Sequence, residues 1–470
     1  YWLDRAASQE ERDAWLLIGS HVPYEIARQA TLPEKLRIWY ERAFDAGMVQ
    51  AGLVFAKLVL QPETDPPDPV LRRKAILALE AAARAGIADA QWLLAQQLGK
   101  PDPDPPHYAS AKPTRQTSDN AIPSSSAKNA MLKWASRAAE GGVTQAQYVL
   151  ADHAWDAADH PTYLHWALPL ARKLAERDTV DQRLRHEDAI LLSRRAQALF
   201  SSPQFNASEI ERYWELAALA GDRNAQFYLG LWFAKMDADG KRIPRISGLA
   251  NYKKSIRWLS LAGEQGSAEA WYALSKIYLK PECSQRNVAD AQRYLEKAAE
   301  AGHGVAQLEL GIAAWRTRRD DSRKDVRAAC WLQKAVAQNI EEAKALLDKV
   351  AMLAAPAAWA VAAQRQLTRD LVSLYPFLAA RIELAALFGL SRVEALLLDL
   401  NAADCGHCLL IDLRAQRPRN KRRLILVQTA VERQTLDRIV RLFENVDCGP
   451  EGPEGSYRQR LYRLKNLVKN

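Results

Sequence analysis

The chain has 470 residues, of which 48% are hydrophobic and 26% charged, and this composition excludes disordered, collagen-like and mucin-like proteins. No run of about 18 apolar residues occurs, so the sequence predicts no membrane-spanning helix. The formal net charge is +9, and residues 401–470 carry most of the excess, with 14 basic and 8 acidic residues. The carboxy-terminal part is therefore the basic end of the chain.

Cysteine usage bears on the compartment. There are five cysteines, too few and too unevenly spaced for a disulfide framework: Cys283, Cys330, Cys405, Cys408 and Cys448. This favours a reducing, cytoplasmic location. The sequence begins at Tyr1 rather than Met, so an exported protein whose leader has been removed is the alternative.

One pattern of small residues recurs seven times along the chain. An alanine is followed four residues later by a glycine or asparagine, and four residues after that by a second alanine. The copies are Ala43-Gly47-Ala51, Ala82-Gly86-Ala90, Ala138-Gly142-Ala146, Ala217-Gly221-Ala225, Ala262-Gly266-Ala270, Ala298-Gly302-Ala306 and Ala335-Asn339-Ala343. Glycine and asparagine tolerate the left-handed conformation that ends a helix, so the pattern predicts helical hairpins whose alanines allow close approach.

The residue eight positions before each centre predicts how the hairpins stack. It is aromatic in six of the seven copies: Trp39, Trp134, Tyr213, Trp258, Tyr294 and Trp331, with Ala78 in the remaining copy. An aromatic ring at this position fills the wider gap between one hairpin and the next. The centres at 47 and 86, and those at 221, 266, 302 and 339, are separated by 36 to 45 residues, which is typical of a stacked helical solenoid.

The segments WLSLAGEQGSAEAWYAL (258–274) and YLEKAAEAGHGVAQLELG (294–311) resemble the consensus of the Sel-one-like repeats, a subclass of tetratricopeptide-type (TPR) repeats. The resemblance covers about residues 30–350. Within this stretch, one repeat is interpreted as degenerate: its helices are residues 163–174 and 187–199, and residues 176–179 replace the usual turn. The resemblance implies an α-α superhelix and a non-enzymatic adaptor or assembly scaffold that binds other proteins.

The resulting fold class is mostly α: an α-α superhelix with a small carboxy-terminal α/β module. The predicted organisation is amino-terminal capping helices in 1–30, the repeat solenoid in 31–350 with a disordered, proline-rich loop at 99–128, a helical connector in 351–400, and the basic module in 401–470.

A solenoid offers an extended concave surface, predicted here to be lined by the first helix of each hairpin. Aromatic residues after each turn, such as Trp92, Tyr148 and Tyr272, are interpreted as hairpin core. Four glutamines beside the packed alanines are expected nearer the surface and are the candidate protein-binding residues: Gln91, Gln147, Gln226 and Gln307.

Beyond residue 355 the repeat pattern stops. Helices are predicted in 357–374 and 377–400, and then Cys408–Arg414 and Arg423–Thr429 read as the strands of a β-hairpin joined by a basic turn. An amphipathic helix is predicted over 431–443 and a basic helix over 457–468.

The spacing of Cys405 and Cys408 suits two kinds of chemistry. A Cys-x-x-Cys pair is typical of dithiol redox sites, although here it precedes a strand and lacks the activating helix N-terminus. Cys405 and Cys408, with His407 or Cys448, could alternatively ligate zinc, although a second close cysteine pair is missing. Incidental packing cysteines are the third interpretation.

The basic turn supports a nucleic-acid alternative. Six basic residues could neutralise phosphates: Arg414, Arg417, Arg419, Lys421, Arg422 and Arg423. Residues 385–396 are also distantly similar to a helix-turn-helix. Together with the basic hairpin that follows, they are distantly similar to a segment of tyrosine recombinases. A solvated turn or an acidic protein partner is the competing interpretation.

Motifs of common catalytic classes are missing, since the sequence has no Walker or dinucleotide glycine loop, no His-Glu-x-x-His and no Gly-x-Ser-x-Gly. The sequence thus predicts a scaffold without enzymatic activity or cofactor. Its partners are expected to be one or more proteins, with nucleic acid as the alternative partner of the basic module.

Overall fold

The computed structural model describes residues 5, 9, 11–28, 33–60, 68–100, 125–176, 184–321, 323–415 and 422–469. The chain divides into two compact units, Tyr1–Ala225 (unit 1) and Gln226–Asn470 (unit 2). None of the described helices combines the length and apolarity needed to span a membrane.

Unit 1 is built from helices. In chain order they are α1 (Arg12–His21), α2 (Tyr24–Arg28), α3 (Pro33–Asp45), α4 (Val49–Leu60), α5 (Pro69–Arg84), α6 (Ala88–Gly99), α7 (Ser125–Glu140), α8 (Thr144–Asp156), α9 (His160–Glu176), α10 (His186–Ser201), α11 (Ala207–Leu219) and α12 (Arg223–Ala234), which contains the unit boundary.

Unit 2 continues with helices and ends in a mixed α/β region. Its elements are α13 (Tyr252–Glu264), α14 (Ala268–Ile277), α15 (Val288–Glu300), α16 (Gly304–Arg316), α17 (Lys324–Ala337), α18 (Glu341–Val350), α19 (Ala358–Arg365), α20 (Arg369–Leu374), α21 (Pro376–Phe388), α22 (Arg392–Leu397), α23 (Leu400–Ala403), β1 (Cys408–Ile411), β2 (Arg423–Leu426), α24 (Ala430–Leu442) and α25 (Tyr457–Lys469).

The seven predicted turn positions all have left-handed backbone conformations. The six glycines have φ between 88° and 97°, and Asn339 has φ 60°. At Gly302 the backbone N–H donates to Ala299 O (3.2 Å), and the next N–H, of His303, donates to Ala298 O (2.9 Å). These two hydrogen bonds satisfy backbone carbonyls that the ending helix would otherwise leave unpaired. The predicted hairpin turns are confirmed.

The alanines that flank these turns are completely buried. All fourteen of them have an exposed fraction of 0%: Ala43, Ala51, Ala82, Ala90, Ala138, Ala146, Ala217, Ala225, Ala262, Ala270, Ala298, Ala306, Ala335 and Ala343. The upstream aromatics join successive clusters. Trp134 packs in the clusters of both neighbouring hairpins, and Trp331 packs against Ala298 and Ala306 of the preceding one. The predicted fold class is thereby confirmed within each unit.

A further turn lies where the sequence showed no glycine. Ala158, between α8 and α9, has φ 55°, its N–H donates to Trp155 O (2.9 Å), and the N–H of Asp159 donates to Ala154 O (2.9 Å). This is the bonding pattern of the seven repeat turns. An L-residue with a Cβ is strained in this conformation, so packing rather than local preference selects the turn.

The carboxy-terminal β-hairpin is confirmed. Strands β1 and β2 are antiparallel, with Cys408 opposite Leu426 and Ile411 opposite Arg423. Met352 adds a short parallel bridge on the other side of β2: its N–H donates to Leu424 O and its O accepts from Leu426 N–H, both at 2.9 Å. Cys408 and the β2 leucines pack with Leu308 of α16 and with Leu332 of α17, the first helix of the last repeat hairpin.

Other carboxy-terminal expectations are partly corrected. Residues 357–374 form two helices, α19 and α20, and 377–400 form α21, α22 and the start of α23. Gly389 ends α21 with φ 65°, and a Cβ there would meet Ala355 O at 2.1 Å. The helices expected at 431–443 and 457–468 are observed as α24 and α25.

Some expectations fall outside the described residues. These are most of the loop predicted at 99–128, namely 101–124, and residues 177–179 of the turn predicted for the degenerate repeat. The predicted domain boundaries stay a prediction.

Candidate protein-binding groove

A groove of about 700 Å³ runs across three helices of unit 1. We call it the α6–α8–α10 groove. Its lining residues are Trp92, Gln96, Thr144, Gln145, Tyr148, Val149, Asp152, Asp156, Arg185, Glu187, Ile190, Leu191 and Arg194. Helices α6 and α8 follow the turns at Gly86 and Gly142, so the groove is lined by second helices. The expectation that the first helix of each hairpin lines the concave surface stays a prediction.

The apolar part of the groove follows from the repeat pattern. Because Ala90 and Ala146 are locked against the turn, a residue two positions later lies about 200° around the helix, away from the alanine contact. These residues are Trp92 and Tyr148, both half-buried, and the Trp92 indole N–H donates to Gln145 Oε1 (2.9 Å). Val149, 36% exposed, extends the apolar surface. The interpretation of the aromatics as core holds for Tyr272, which is 3% exposed, and Trp92 packs against a hairpin core cluster while it also lines the groove.

A buried carboxylate orients one wall of the groove. Asp188, 1% exposed, accepts hydrogen bonds from the Tyr148 hydroxyl and from Arg185 Nε (3.2 Å) and Nη2 (3.1 Å). Burial alone would raise the pKa of Asp188, but the bonds from Arg185 and Tyr148 outweigh it and lower the pKa. Burial and the bond to Asp188 raise the pKa of Tyr148. The phenol therefore stays protonated and acts as a hydrogen-bond donor.

A second ion pair in the groove also joins α8 and α10. Arg194 Nη1 donates to Asp152 Oδ1 (2.8 Å), and the guanidinium carbon lies 5.3 Å from the centre of the Trp155 ring. Asp156 and Glu187 are exposed in the same groove. The groove thus combines apolar surface with charges held in place by pairing, which suits binding an extended segment.

The four predicted glutamines belong to the hairpins themselves. The side-chain amides of Gln91, Gln147 and Gln307 donate to Ala83 O (3.1 Å), Ala139 O (3.1 Å) and Ala299 O (2.9 Å), each three residues before a turn glycine. Gln226 Oε1 accepts from Gln265 Nε2 (2.8 Å). The expected surface position is wrong for Gln91, Gln226 and Gln307, which are buried, and Gln147 is half-buried. Each polar amide is drawn inward because it satisfies a buried polar group.

Among the predicted phosphate-binding residues, Arg414, Arg422 and Arg423 are described, and each has an acidic partner. Arg414 pairs with Asp412 (2.8 Å) and Arg423 with Glu394 (2.8 Å). Arg422 pairs with Asp325 (2.7 Å) and Asp412 (2.8 Å). Arg417, Arg419 and Lys421 lie outside the described residues. The sequence showed the basic run and the nearby Asp412, whereas Asp325 and Glu394 come from distant segments.

The predicted zinc ligands are not brought together as a set. Cys405 and Cys408 pack with the last repeat hairpin, whereas Cys448 packs in a different cluster and its Sγ donates to Val446 O (3.8 Å). In the part of the chain that the structure describes, no three His, Cys, Asp or Glu side chains are grouped as metal ligands.

A second depression of about 770 Å³ lies between α9, the end of α10 and the start of α11. Arg195, 4% exposed, lies at its wall and donates to Leu164 O (3.0 Å) and to Glu209 Oε1 (3.4 Å). Glu209 also accepts from the Tyr213 hydroxyl (2.7 Å). These bonds tie α9, α10 and α11 together.

Comparisons with known proteins complete the description. No family model matches the chain. Similar solved structures include a protective antigen present in uropathogenic Escherichia coli strains and displaying an SLR fold (18% identity, 99% of this chain and 97% of that chain, TM-score 0.41) and a Sel1 repeat protein from Oxalobacter formigenes (20%, 74% and 90%, TM-score 0.31). Another is a putative Sel1 repeat protein from Klebsiella pneumoniae subsp. pneumoniae (19%, 47% and 98%, TM-score 0.28).

Proposed function

We propose that the protein is a non-enzymatic interaction scaffold and that the α6–α8–α10 groove binds a segment of a partner protein. The observation that carries this proposal is the set of apolar side chains that α6, α8 and α10 present to the groove: half-buried Trp92, Tyr148 and Ile190, and exposed Val149. Apolar surface exposed in a groove between polar walls is a common feature of protein-binding sites.

The charges favour a particular kind of segment. Arg185 and Arg194 are already paired with Asp188 and Asp152, whereas Asp156 and Glu187 are exposed. A segment with apolar side chains for Trp92 and Tyr148 and a basic side chain for Asp156 or Glu187 would be complementary to this groove.

Site-specific photo-crosslinking tests the proposal. A photoreactive amino acid at Val149 in the groove is expected to trap a discrete partner, and the crosslink should weaken when Trp92→Ala is added. The matched control is the same amino acid at Leu77 on α5, which is 63% exposed and does not line the groove. Equal crosslinking from Val149 and Leu77, or no effect of Trp92→Ala, would refute the groove as the binding site.

A further inference from the structure

Cys405 and Cys408 lie opposite each other across a tight turn of two residues, Gly406 and His407. The Cys405 N–H donates to Cys408 O (3.1 Å), and the flanking residues Asp404 and Leu409 form an antiparallel bridge. The Cys408 thiol lowers the pKa of the Cys405 thiol. Directly opposed residues of such a turn have the Cα separation that a disulfide needs.

Contacts from three directions hold this turn in place. Gly406 O accepts from Arg433 Nη1 (2.8 Å), and the same guanidinium pairs with Asp404. His407 Nε2 lies 2.9 Å from Val326 O in α17. Gly406 itself has φ 81° and donates its N–H to Asp404 Oδ1 (2.9 Å). The two cysteines are therefore preorganised, so bond formation would require movement of the side chains more than of the backbone.

The two thiols differ in access and acidity. Cys405 is half-buried, whereas Cys408 is completely buried. The hydrogen bond from Cys408 lowers the pKa of Cys405 to about 7, with Arg323 and Arg422 adding to the effect against burial and Asp404. The same hydrogen bond and burial raise the pKa of Cys408. A neighbouring thiol thus replaces the helix N-terminus that activates many such pairs.

The surroundings of the pair are mixed in charge. The titratable and charged groups that act on the two cysteines and on His407 are Arg323, Asp325, Cys330, Lys334, Asp404 and Arg422. Burial lowers the pKa of His407, so its imidazole is neutral at pH 7. Its Nε2 lies 3.5 Å from Cys408 Sγ.

We propose that Cys405 and Cys408 form a dithiol site that reacts by exchange with low-molecular-weight disulfides. The Cys405 thiolate attacks one sulfur of a disulfide RS–SR, a mixed disulfide forms, and RS⁻ leaves and takes up a proton. Cys408 then loses its proton to water, its sulfur attacks Cys405 Sγ, and the second RS⁻ leaves. The protein dithiol is oxidised by two electrons and the small disulfide is reduced to two thiols.

Oxidised glutathione is the probe for this exchange. The full chain is incubated with it, quenched in acid, alkylated in denaturant and digested for mass spectrometry. The expected product is a Cys405–Cys408 disulfide. Cys408→Ser should stop at glutathione bound to Cys405, and Cys405→Ser should yield neither product. The wild-type readout stands even if Cys408→Ser impairs folding. Absence of the Cys405–Cys408 disulfide would overturn the proposal.

The rate of alkylation by iodoacetamide between pH 5 and 9 separates a reactive thiol from an incidental one. Cys405 is expected to react with a midpoint near pH 7, while Cys448, also half-buried and with a pKa raised by burial, reacts only at higher pH. Equal profiles for Cys405 and Cys448 contradict the proposal. Thiols that become reactive only after a chelator removes stoichiometric zinc also contradict it, because the pair would then be a metal site.

Discussion

Arg381 and Glu454 form a bidentate ion pair inside unit 2, although 73 residues separate them in the chain. Arg381 Nε donates to Glu454 Oε1 (2.7 Å) and Nη2 to Oε2 (2.6 Å). The side chains are 0% and 4% exposed, and the remaining guanidinium nitrogen donates to Ala395 O (2.8 Å) and Leu398 O (2.9 Å). One arginine thus connects α21 and α22 with the loop that precedes α25.

Glu454→Ala should be strongly destabilising, because it leaves the Arg381 guanidinium buried without its counter-ion. We expect the free energy of unfolding to fall by about 3 to 5 kcal/mol in urea titrations followed by circular dichroism. The matched control is Glu383→Ala, which removes the surface pair with Arg438, whose side chain is 61% exposed, and should cost less than about 1 kcal/mol. Similar losses for the two variants would contradict the structure.

Ala158→Gly should be stabilising, since glycine adopts the φ of 55° without the steric penalty of a Cβ. The expected gain is about 1 kcal/mol in the free energy of unfolding. The neighbouring Ala157→Gly is the control. Ala157 has φ −82°, so glycine relieves no strain there and only raises the conformational entropy of the unfolded chain, which should lower the free energy of unfolding. Stabilisation by Ala157→Gly with loss from Ala158→Gly would show that this turn is wrong.

The stability of unit 2 should depend on the protonation of His303. Burial lowers its pKa below the ordinary value, its Nδ1 accepts from the Ala306 N–H (3.2 Å) at the start of α16, and its ring stacks on Tyr272 at 4.3 Å. The unfolded chain therefore binds the proton more readily than the folded one. The stability that neutral His303 contributes to the folded state is therefore fully present above pH 6.5 and is lost as the pH falls below that value.

His303→Asn preserves a side-chain acceptor for Ala306 and removes the titration. We expect the free energy of unfolding to depend less on pH between 7 and 5, by at most about 1.4 kcal/mol per pH unit for one proton. Unfolding titrations at several pH values provide the measurement. An unaltered slope in His303→Asn would disprove the assignment.

Arg422→Ala should act on stability, because its guanidinium bridges Asp325 of the last repeat hairpin and Asp412 of the β-hairpin. The Arg422 side chain is 15% exposed, so it is not completely buried. We expect the free energy of unfolding to fall by about 2 kcal/mol. Arg414→Ala is the control, since its side chain is 54% exposed and its ion pair among the described residues is with Asp412, and it should cost less than about 1 kcal/mol.

The nucleic-acid alternative is tested separately, by gel shift with duplex DNA at about 50 mM salt. Arg417→Ala with Arg419→Ala preserves the Arg422 ion pairs. If the basic turn binds phosphates, this double variant should weaken binding and reduce its salt dependence. Absence of binding, or binding that this variant does not change, would remove the alternative.

The amino-acid sequence by itself determined the parts of this protein that depend on local backbone preference. A glycine or Asn339 between buried alanines specifies a left-handed helix end, and two short apolar runs on either side of a basic turn indicate the β-hairpin. These features could be predicted because neighbours along the chain decide them.

Only the tertiary structure decided the rest. It turned Gln91 and Gln307 inward onto carbonyls, left Trp92 and Tyr148 lining a groove, and supplied Arg422 with a partner 97 residues away in Asp325. It also made a turn at Ala158 and placed the Cys408 thiol against Cys405. These outcomes follow from burial, charge pairing and packing between distant segments, which the periodicity of a single chain does not encode.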